Sequence, residues 1–548
     1  MTVPVTPSTS RTHDVTNQPP PLVDYDVYGA DAALVEGVRR HGAADREGQL
    51  HELGRRAGGA EEQQWGVEAN VNPPVLRTHD RYGHRIDEVE FHPSWHRLLE
   101  VATSYGLHAS SWREPGPGAH VARAAGFYVW SQVEGGHGCP VSMTHAAVPA
   151  LRTETALADE WVPRLTTYAY DPVLRPAADK AGCLAGMGMT EKQGGSDVRT
   201  NTTRAVQQGD GSYLLTGHKW FTSAPMCDVF LVLAQAADGL TCFLVPRMLP
   251  DGTRNTFRIQ RLKDKLGNRS NASSEPEFDN TFAWRVGPEG RGVRTIIEMV
   301  NMTRLDCVIG SAAGMRQGVA QAAHHAAHRR AFGAYLTDQP LMRSVLADLA
   351  VESEAATVLM MRLAAATDAD ESAFRRIALA VGKYWVCKRA PMHAAEALEC
   401  LGGNGYVEDF PMARLYREAP LNGIWEGSGN VSALDVLRAL AREPECLAAY
   451  DEEVALAAGA DLRLDQALAD LRVMVAALGD DAEASARRLV ERMALVLQGS
   501  LLIRFGHPAV ADAFCATRLA GDSGLAFGTL PPGVDTRAIV ERAAPKLG

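Results

Sequence analysis

Between about residues 182 and 290 the hydrophobic spacing changes period, and no other feature narrows the fold of this 548-residue chain as much. Tyr213-Leu214-Leu215-Thr216 and Trp220-Phe221-Thr222 read as strands. Residues 229–234 and 241–245 flank Asp238-Gly239, a hairpin signal, and Gly267-Asn268-Arg269-Ser270-Asn271 marks a turn. Outside this stretch the period is helical. Met342, Val345, Leu346 and Leu349 form one apolar stripe, and Leu464, Leu468, Leu471, Val475 and Leu478 alternate spacings of four and three, a helix-packing seam. An order of helical, β, helical and again helical is not the βαβα alternation of a doubly wound fold. The expected fold is mainly α with a central β domain. The expected parts are an extended N-terminal arm over 1–45, where Pro19, Pro20 and Pro21 forbid helix, and a helical domain over 46–181. A β domain over 182–290, a helical bundle over 291–440 and a C-terminal helical extension over 441–548 follow.

Length supports several cores, three or four at ~150 residues each. The formal net charge of -11 (55 Lys+Arg, 66 Asp+Glu) argues against a uniformly basic surface and leaves room for a local basic patch. Nine cysteines without paired spacing read as buried, reduced thiols. The N-terminus has no apolar signal core and no run of 18 apolar residues occurs, so a cytoplasmic protein without a membrane span is expected.

Several chemistries lack their motif. There is no G-x-x-x-x-G-K-[ST], no G-x-G-x-x-G between strand and helix, no C-x-x-C and no G-x-S-x-G. His324, His325 and His328 are tempting as metal ligands, since 324 and 328 share a helix face, but they read as a solvated face, and no metal is expected.

Three local constellations remain. In Gly186-Met187-Gly188-Met189-Thr190-Glu191-Lys192-Gln193-Gly194-Gly195-Ser196-Asp197, small residues let backbone approach a flat ligand while Thr190 and Ser196 offer hydroxyls. In Gly217-His218-Lys219-Trp220-Phe221-Thr222-Ser223, an aromatic pair precedes two hydroxyl residues. The third is Leu401-Gly402-Gly403-Asn404-Gly405-Tyr406 with Gly423-Ile424-Trp425-Glu426-Gly427-Ser428-Gly429-Asn430. There a carboxylate between Trp425 and glycines is poorly solvated, and desolvation raises its pKa toward that of a useful base.

These motifs, with Arg329-x-x-Phe332-Gly333 between them, resemble in order and spacing the acyl-CoA dehydrogenase flavoproteins over roughly 100–440. Asn17-Gln18-Pro19-Pro20-Pro21-Leu22, Tyr416-Arg417-Glu418 and the helical block after 440 are similar to the AidB-like branch, linked to the adaptive response to alkylation damage. The resemblance implies an N-terminal helical domain, a β barrel-like domain and a C-terminal four-helix bundle, with FAD between them and homotetramers formed through the bundle. It implies contacts to FAD from Met189, Thr190, Gly195 and Ser196, with Trp220, Phe221, Thr222 and Ser223 beside the ring. Arg329, Phe332, Gly402 and Gly403 would reach the pyrophosphate or adenine portions, partly across a subunit boundary, and Trp425, Gly427, Ser428 and Asn430 would bind around the catalytic turn. Glu426 matches the family's base, which removes the α-proton of an acyl-CoA thioester.

Two residues depart from an efficient fatty-acid enzyme: Glu399, where relatives usually have Gln, and the bulky Trp425 beside the base. By resemblance the extension binds double-stranded DNA. It carries 11 Lys+Arg against 16 Asp+Glu, a poor balance for phosphate, but residues 484–520 reverse it. There Arg487, Arg488, Arg492, Arg504 and Arg518 face only Glu491 and Asp512. The leading reading is an AidB-like FAD protein with weak or narrow dehydrogenase activity that limits alkylation damage to DNA. The alternatives are an ordinary short- or branched-chain acyl-CoA dehydrogenase and a non-enzymatic DNA-binding scaffold with structural FAD.

Overall fold

A computed structural model describes residues 12–546; residues 1–11 of the arm and 547–548 of the extension lie outside the described residues. From residue 12 the arm runs without regular structure, as its prolines require, but it ends earlier than expected. The helix Ala32–Arg40 takes the last part, because Asp31 caps it by accepting from the Leu34 N–H. Helices Glu47–Ala57, Ala60–Val71, Pro93–Ser104, Ala119–Ser131, Gly138–Leu151 and Thr155–Leu165 complete the first helical unit, broken by a small hairpin of Val75–His79 and Arg85–Glu90.

The β unit is a closed ring. Val229–Ala236 pairs with Gly239–Pro246 across the expected Asp238-Gly239 turn, and that strand pairs with Ser273–Val286. The path continues through Tyr213–His218 and Arg204–Gln207 back to Val229–Ala236. Ala185–Gly188 adds in parallel to Val229–Ala236, while Thr222–Ser223 and Phe257–Leu262 flank Ser273–Val286. Phe230, Phe243 and Phe257 fill the interior, so closure removes most exposed edges and buries a dense aromatic core.

Beyond it, Gly292–His328, Pro340–Asp368, Ser372–Glu399 and Gly429–Arg442 pack as a bundle. A buried pair joins the first unit to the long helix: Arg123 Nη2 donates to Asp306 Oδ2 at 2.9 Å. His324 and His325 are buried rather than on a solvated face, while His328 is exposed; the arm lies against His324, whose Nε2 is 2.8 Å from the Pro20 carbonyl oxygen.

The extension is welded to the bundle. Leu464, Leu468 and Leu471 are buried, as the seam predicts. Ala482–Phe505 packs on three bundle helices, and Arg542 of Thr536–Ala543 bridges Glu36 (2.7 Å) and Glu354 (2.9 Å). All nine cysteines are free and buried, as expected. Among the described residues no helix is long and apolar enough to cross a membrane.

Candidate active site

The first two motifs form one structure. Lys219 Nζ, in the interior of the β unit, donates to Glu191 Oε1 (2.8 Å) and to the Leu233 carbonyl (2.7 Å). The same carboxylate accepts from the Thr202 N–H (2.7 Å), the Thr203 N–H (3.1 Å) and Gln193 Nε2 (2.8 Å). The ammonium and these donors hold the Glu191 carboxyl far below the ordinary range. One buried ion pair therefore clamps the Gly-rich loop onto the strand of the second motif.

That clamp presents Met189, Thr190, Gly195, Ser196, Phe221 and Ser223 to a cavity of about 570 Å³. A volume of this size suits a small-molecule ligand. Phe221 is 53% exposed there, an apolar face with hydroxyls around it. Gly195 must be glycine, since a Cβ would stand 2.3 Å from Thr190 Oγ1. The set fits a flat heteroaromatic ring with a polar edge such as that of FAD.

Two expected contacts are corrected. Phe221 and Ser223 line the cavity, whereas Trp220 and Thr222 do not. Trp220 carries Lys263 Nζ 3.3 Å above its ring, and Thr222 is buried with its hydroxyl against Gly188.

Across the cavity lie Trp425, Glu426, Gly427 and Ser428. Glu426 (φ 56) and Gly427 (φ 95) are consecutive left-handed residues, a sharp reversal that a non-glycine residue adopts only when its surroundings hold it. Two cations do so. Lys383 Nζ donates to the carbonyls of Trp425 (2.8 Å) and Gly427, and Arg304 Nε donates to the Glu426 carbonyl at 3.1 Å. Arg304 is itself fixed by Asp435 at 2.8 Å. Trp425 Nε1 donates to Asn422 Oδ1 (2.9 Å), which fixes the indole in the cavity wall.

The Glu426 carboxylate faces the cavity and accepts from Thr303 Oγ1 at 2.7 Å. Burial raises its pKa above the carboxylate norm, while Thr303, Lys383 and Arg304 oppose that rise. Such a carboxylate is a stronger base than one in water. Thr303→Val, which keeps the shape and removes the hydroxyl, is expected to push this pKa further up. The acid limb of a kcat/KM profile should then move alkaline by about one pH unit, as loss of a hydrogen bond to a charged acceptor requires.

Thr303, Arg304 and Lys383 belong to none of the three sequence constellations. Lys383 alone carries a signal, in Ala380-Val381-Gly382-Lys383-Tyr384-Trp385-Val386, since a lone cation in an apolar helical run needs a buried acceptor. Glu418 is a further residue that its motif does not mark as functional, its Oε2 accepting from the Asn268 N–H at 2.6 Å in the cavity wall.

Other expected contacts are elsewhere in this chain. Asn430 is exposed at the start of its helix. Arg329, half-buried, and the exposed Gly402 and Gly403 lie at the far end of the long helix, and Phe332 projects fully into solvent from the hairpin Arg330–Ala331 and Ala334–Tyr335. In one chain these four do not meet the cavity. Of the five arginines in the extension, Arg504 pairs with Glu453, and Arg518 pairs with Asp348 (2.5 Å) and Glu352 (3.2 Å). These two are corrected to structural roles, because their side chains turn toward acids of neighbouring helices, Glu453 in the extension and Asp348 and Glu352 in the bundle. Arg487, Arg488 and Arg492 lie on the outward side of Ala482–Phe505, and Arg487 Nη2 comes beside Lys388 over Gly429.

The closed β ring between two helical units, with a carboxylate turn facing a Gly-rich loop, is the architecture of acyl-CoA dehydrogenases. Family models agree: the acyl-CoA dehydrogenase middle domain matches residues 186–281, its C-terminal domain matches 290–441, and the adaptive response protein AidB N-terminal domain matches 17–172. The chain is 46% identical to AidB of Escherichia coli (strain K12), over 93% of this chain and 95% of that protein. It thus belongs to the AidB-like branch of the acyl-CoA dehydrogenase family, and FAD is its cofactor. It is also 31% identical to acyl-CoA dehydrogenase family member 11 of Caenorhabditis elegans, over 81% of this chain and 78% of that one. Among solved structures, Caenorhabditis elegans ACDH-11 in complex with C11-CoA superposes with a TM-score of 0.85, at 26% identity, covering 97% of each chain. The apo-form of Bd2924 superposes at 0.81, with 27% identity, covering 92% of this chain and 100% of that one.

Proposed function

We propose that this protein is an FAD-containing member of its family that oxidises a narrow range of acyl-CoA thioesters at low rate, and that it binds double-stranded DNA and limits alkylation damage. The desolvated Glu426 carboxylate facing the cavity, opposite Phe221, Thr190 and Ser223, carries the enzymatic half. FAD held against these residues would supply a hydride acceptor for the hydrogen on the thioester β-carbon. Phe221 offers the ring an apolar face, and the hydroxyls of Thr190, Ser196 and Ser223 offer its edge donors. Glu426 takes the α-proton, and the Glu426 backbone N–H, turned by the left-handed pair, is free to donate to the thioester oxygen and acidify that proton. Trp425 lines the wall beside the base, which supports a narrow substrate range. Anaerobic bleaching of the flavin by a panel of acyl-CoAs tests this half, and no bleaching by any member would refute it.

Homotetramer formation through the bundle is part of the reading, since Arg329, Gly402 and Gly403 serve FAD only if a second copy brings its own cavity to them. The DNA half rests on Arg487, Arg488 and Arg492, which have no carboxylate partner among the described residues. Repeated in a tetramer, these patches offset the acidic extension locally. Band-shift titrations should show affinity falling with salt. The triple variant R487Q/R488Q/R492Q should flatten the log–log slope by roughly 2 to 3, at about 0.9 for each phosphate that is no longer neutralised. Binding no tighter than that of an acidic control protein would remove the DNA half. Protection against methylating agents that survives Glu426→Gln would favour a scaffold with structural FAD.

A further inference from the structure

Three segments distant in sequence meet at the C-terminal end of the helix Gly292–His328. They are the arm around residues 17–20, the hairpin that follows Arg329, and the turn at Gly402. Asn17 joins them. Its Oδ1 accepts from the Arg330 N–H (2.8 Å) and its Nδ2 donates to the Arg330 carbonyl (2.9 Å), so one side chain pairs with both backbone groups as a neighbouring strand would. Its own carbonyl accepts from Arg329 Nη1 at 2.6 Å. Asn17 stands at φ 59, a left-handed position that asparagine tolerates better than most residues. The next residue reaches the second segment: Gln18 Oε1 accepts from Asn404 Nδ2 at 3.2 Å. Two residues on, Pro20 holds His324 through its carbonyl.

What these contacts hold is open on its outer side. A carbonyl aims the Arg329 guanidinium and no carboxylate neutralises it among the described residues, so its charge and remaining donors stay available. A Cβ on Gly402, Gly403 or Gly333 would meet nothing within 4 Å, so these glycines are not accommodating packing inside the chain. Gly402 at φ 59 needs glycine for its backbone, and the exposed surface above it is free for another molecule.

We propose that Asn17 and Gln18 form a positioning strap, which sets Arg329 and the Gly402–Gly403 turn at the spacing needed to grip the phosphate-bearing end of FAD held by a second copy of this chain. The inference rests on the FAD-containing oligomer proposed above and assigns the arm a role in it. The strap explains how residues 17–20, none of them buried, are held on the bundle: through side-chain amides and the Pro20 carbonyl, ahead of the apolar anchors Leu22 and Tyr25.

The test uses the full-length protein and two variants. Asn17→Gly keeps the left-handed backbone and removes both amide bonds; Asn17→Asp keeps an acceptor for the Arg330 N–H and loses the donor. Hydrogen exchange in peptides spanning 329–336 should speed up about tenfold in Asn17→Gly, with the long helix unchanged. FAD release on dilution should accelerate by a similar factor while the mass by sedimentation stays that of wild type. Asn17→Asp should fall between the two. Unchanged exchange in Asn17→Gly would overturn the strap, and faster exchange with unaltered FAD release would overturn its role toward the cofactor. Failure of the underlying reading looks different: wild-type protein that takes up no FAD, with the exchange contrast between wild type and Asn17→Gly intact.

Discussion

Glu426→Gln should slow bleaching of the flavin by an acyl-CoA about 10²–10⁴-fold, the range that a positioned base supplies. Glutamine has the same shape, and its amide oxygen can still accept from Thr303 Oγ1, 2.7 Å from the native carboxylate. The turn rests on Lys383 and Arg304 contacts to backbone carbonyls rather than to the Glu426 side chain, so it should remain folded. FAD content and thermal midpoint should accordingly match wild type, and the loss should appear in the single-turnover rate constant. A rate within a factor of three of wild type would move the base to another residue, and Glu418 in the same wall would then be the group to replace.

Lys219→Met should cost about 3–5 kcal/mol, because it leaves Glu191 ionised and buried without its cation. Both side chains are fully enclosed, Met fills the volume of the lysine stem, and the measured loss therefore isolates the charge. The Glu191 carboxylate would keep its donors from Thr202, Thr203 and Gln193, so the Gly-rich loop should loosen rather than unfold. Urea denaturation followed by the tryptophan signal measures the loss. Glu191→Gln should be damaging for the converse reason, and the double variant should cost less than the sum of the two. The pH dependence has a definite sign. The folded pKa of Glu191 is depressed, so its contribution is present above the ordinary carboxylate pKa and is lost as acid approaches the depressed value. Wild type should therefore lose more stability than Lys219→Met as the pH falls below the ordinary glutamate value of 4.5. Equal costs at neutral pH for Lys219→Met and a surface lysine variant would defeat the clamp.

Much of the architecture is legible in the chain because period and chemistry agree along it. The hairpin at Asp238-Gly239, the apolar stripe from Met342 to Leu349 and the seam from Leu464 onward each pair a hydrophobic spacing with a matching element. The arm is shorter than the expected 1–45, since its prolines end at Pro21 and the Asp31 cap starts a helix within that span. Adjacency in sequence places Trp220 and Thr222 at the ring, whereas packing decides which residues see the cavity: Lys263 covers Trp220, and Thr222 is buried. The extension's arginines look alike in a charge count, yet two of the five are engaged by acids from other helices.

Residue order alone determined the helical–β–helical plan, the Gly-rich loop and the acid in its glycine turn, since these depend on local spacing and on which side chains lack a Cβ or carry a charge. Folding decided the rest: that Glu191 answers Lys219, that Thr303 answers Glu426, and that Asn17 holds a hairpin more than 300 residues away. Partners so far apart leave no period in the chain. Only burial, which removes water as the competing partner, selects them.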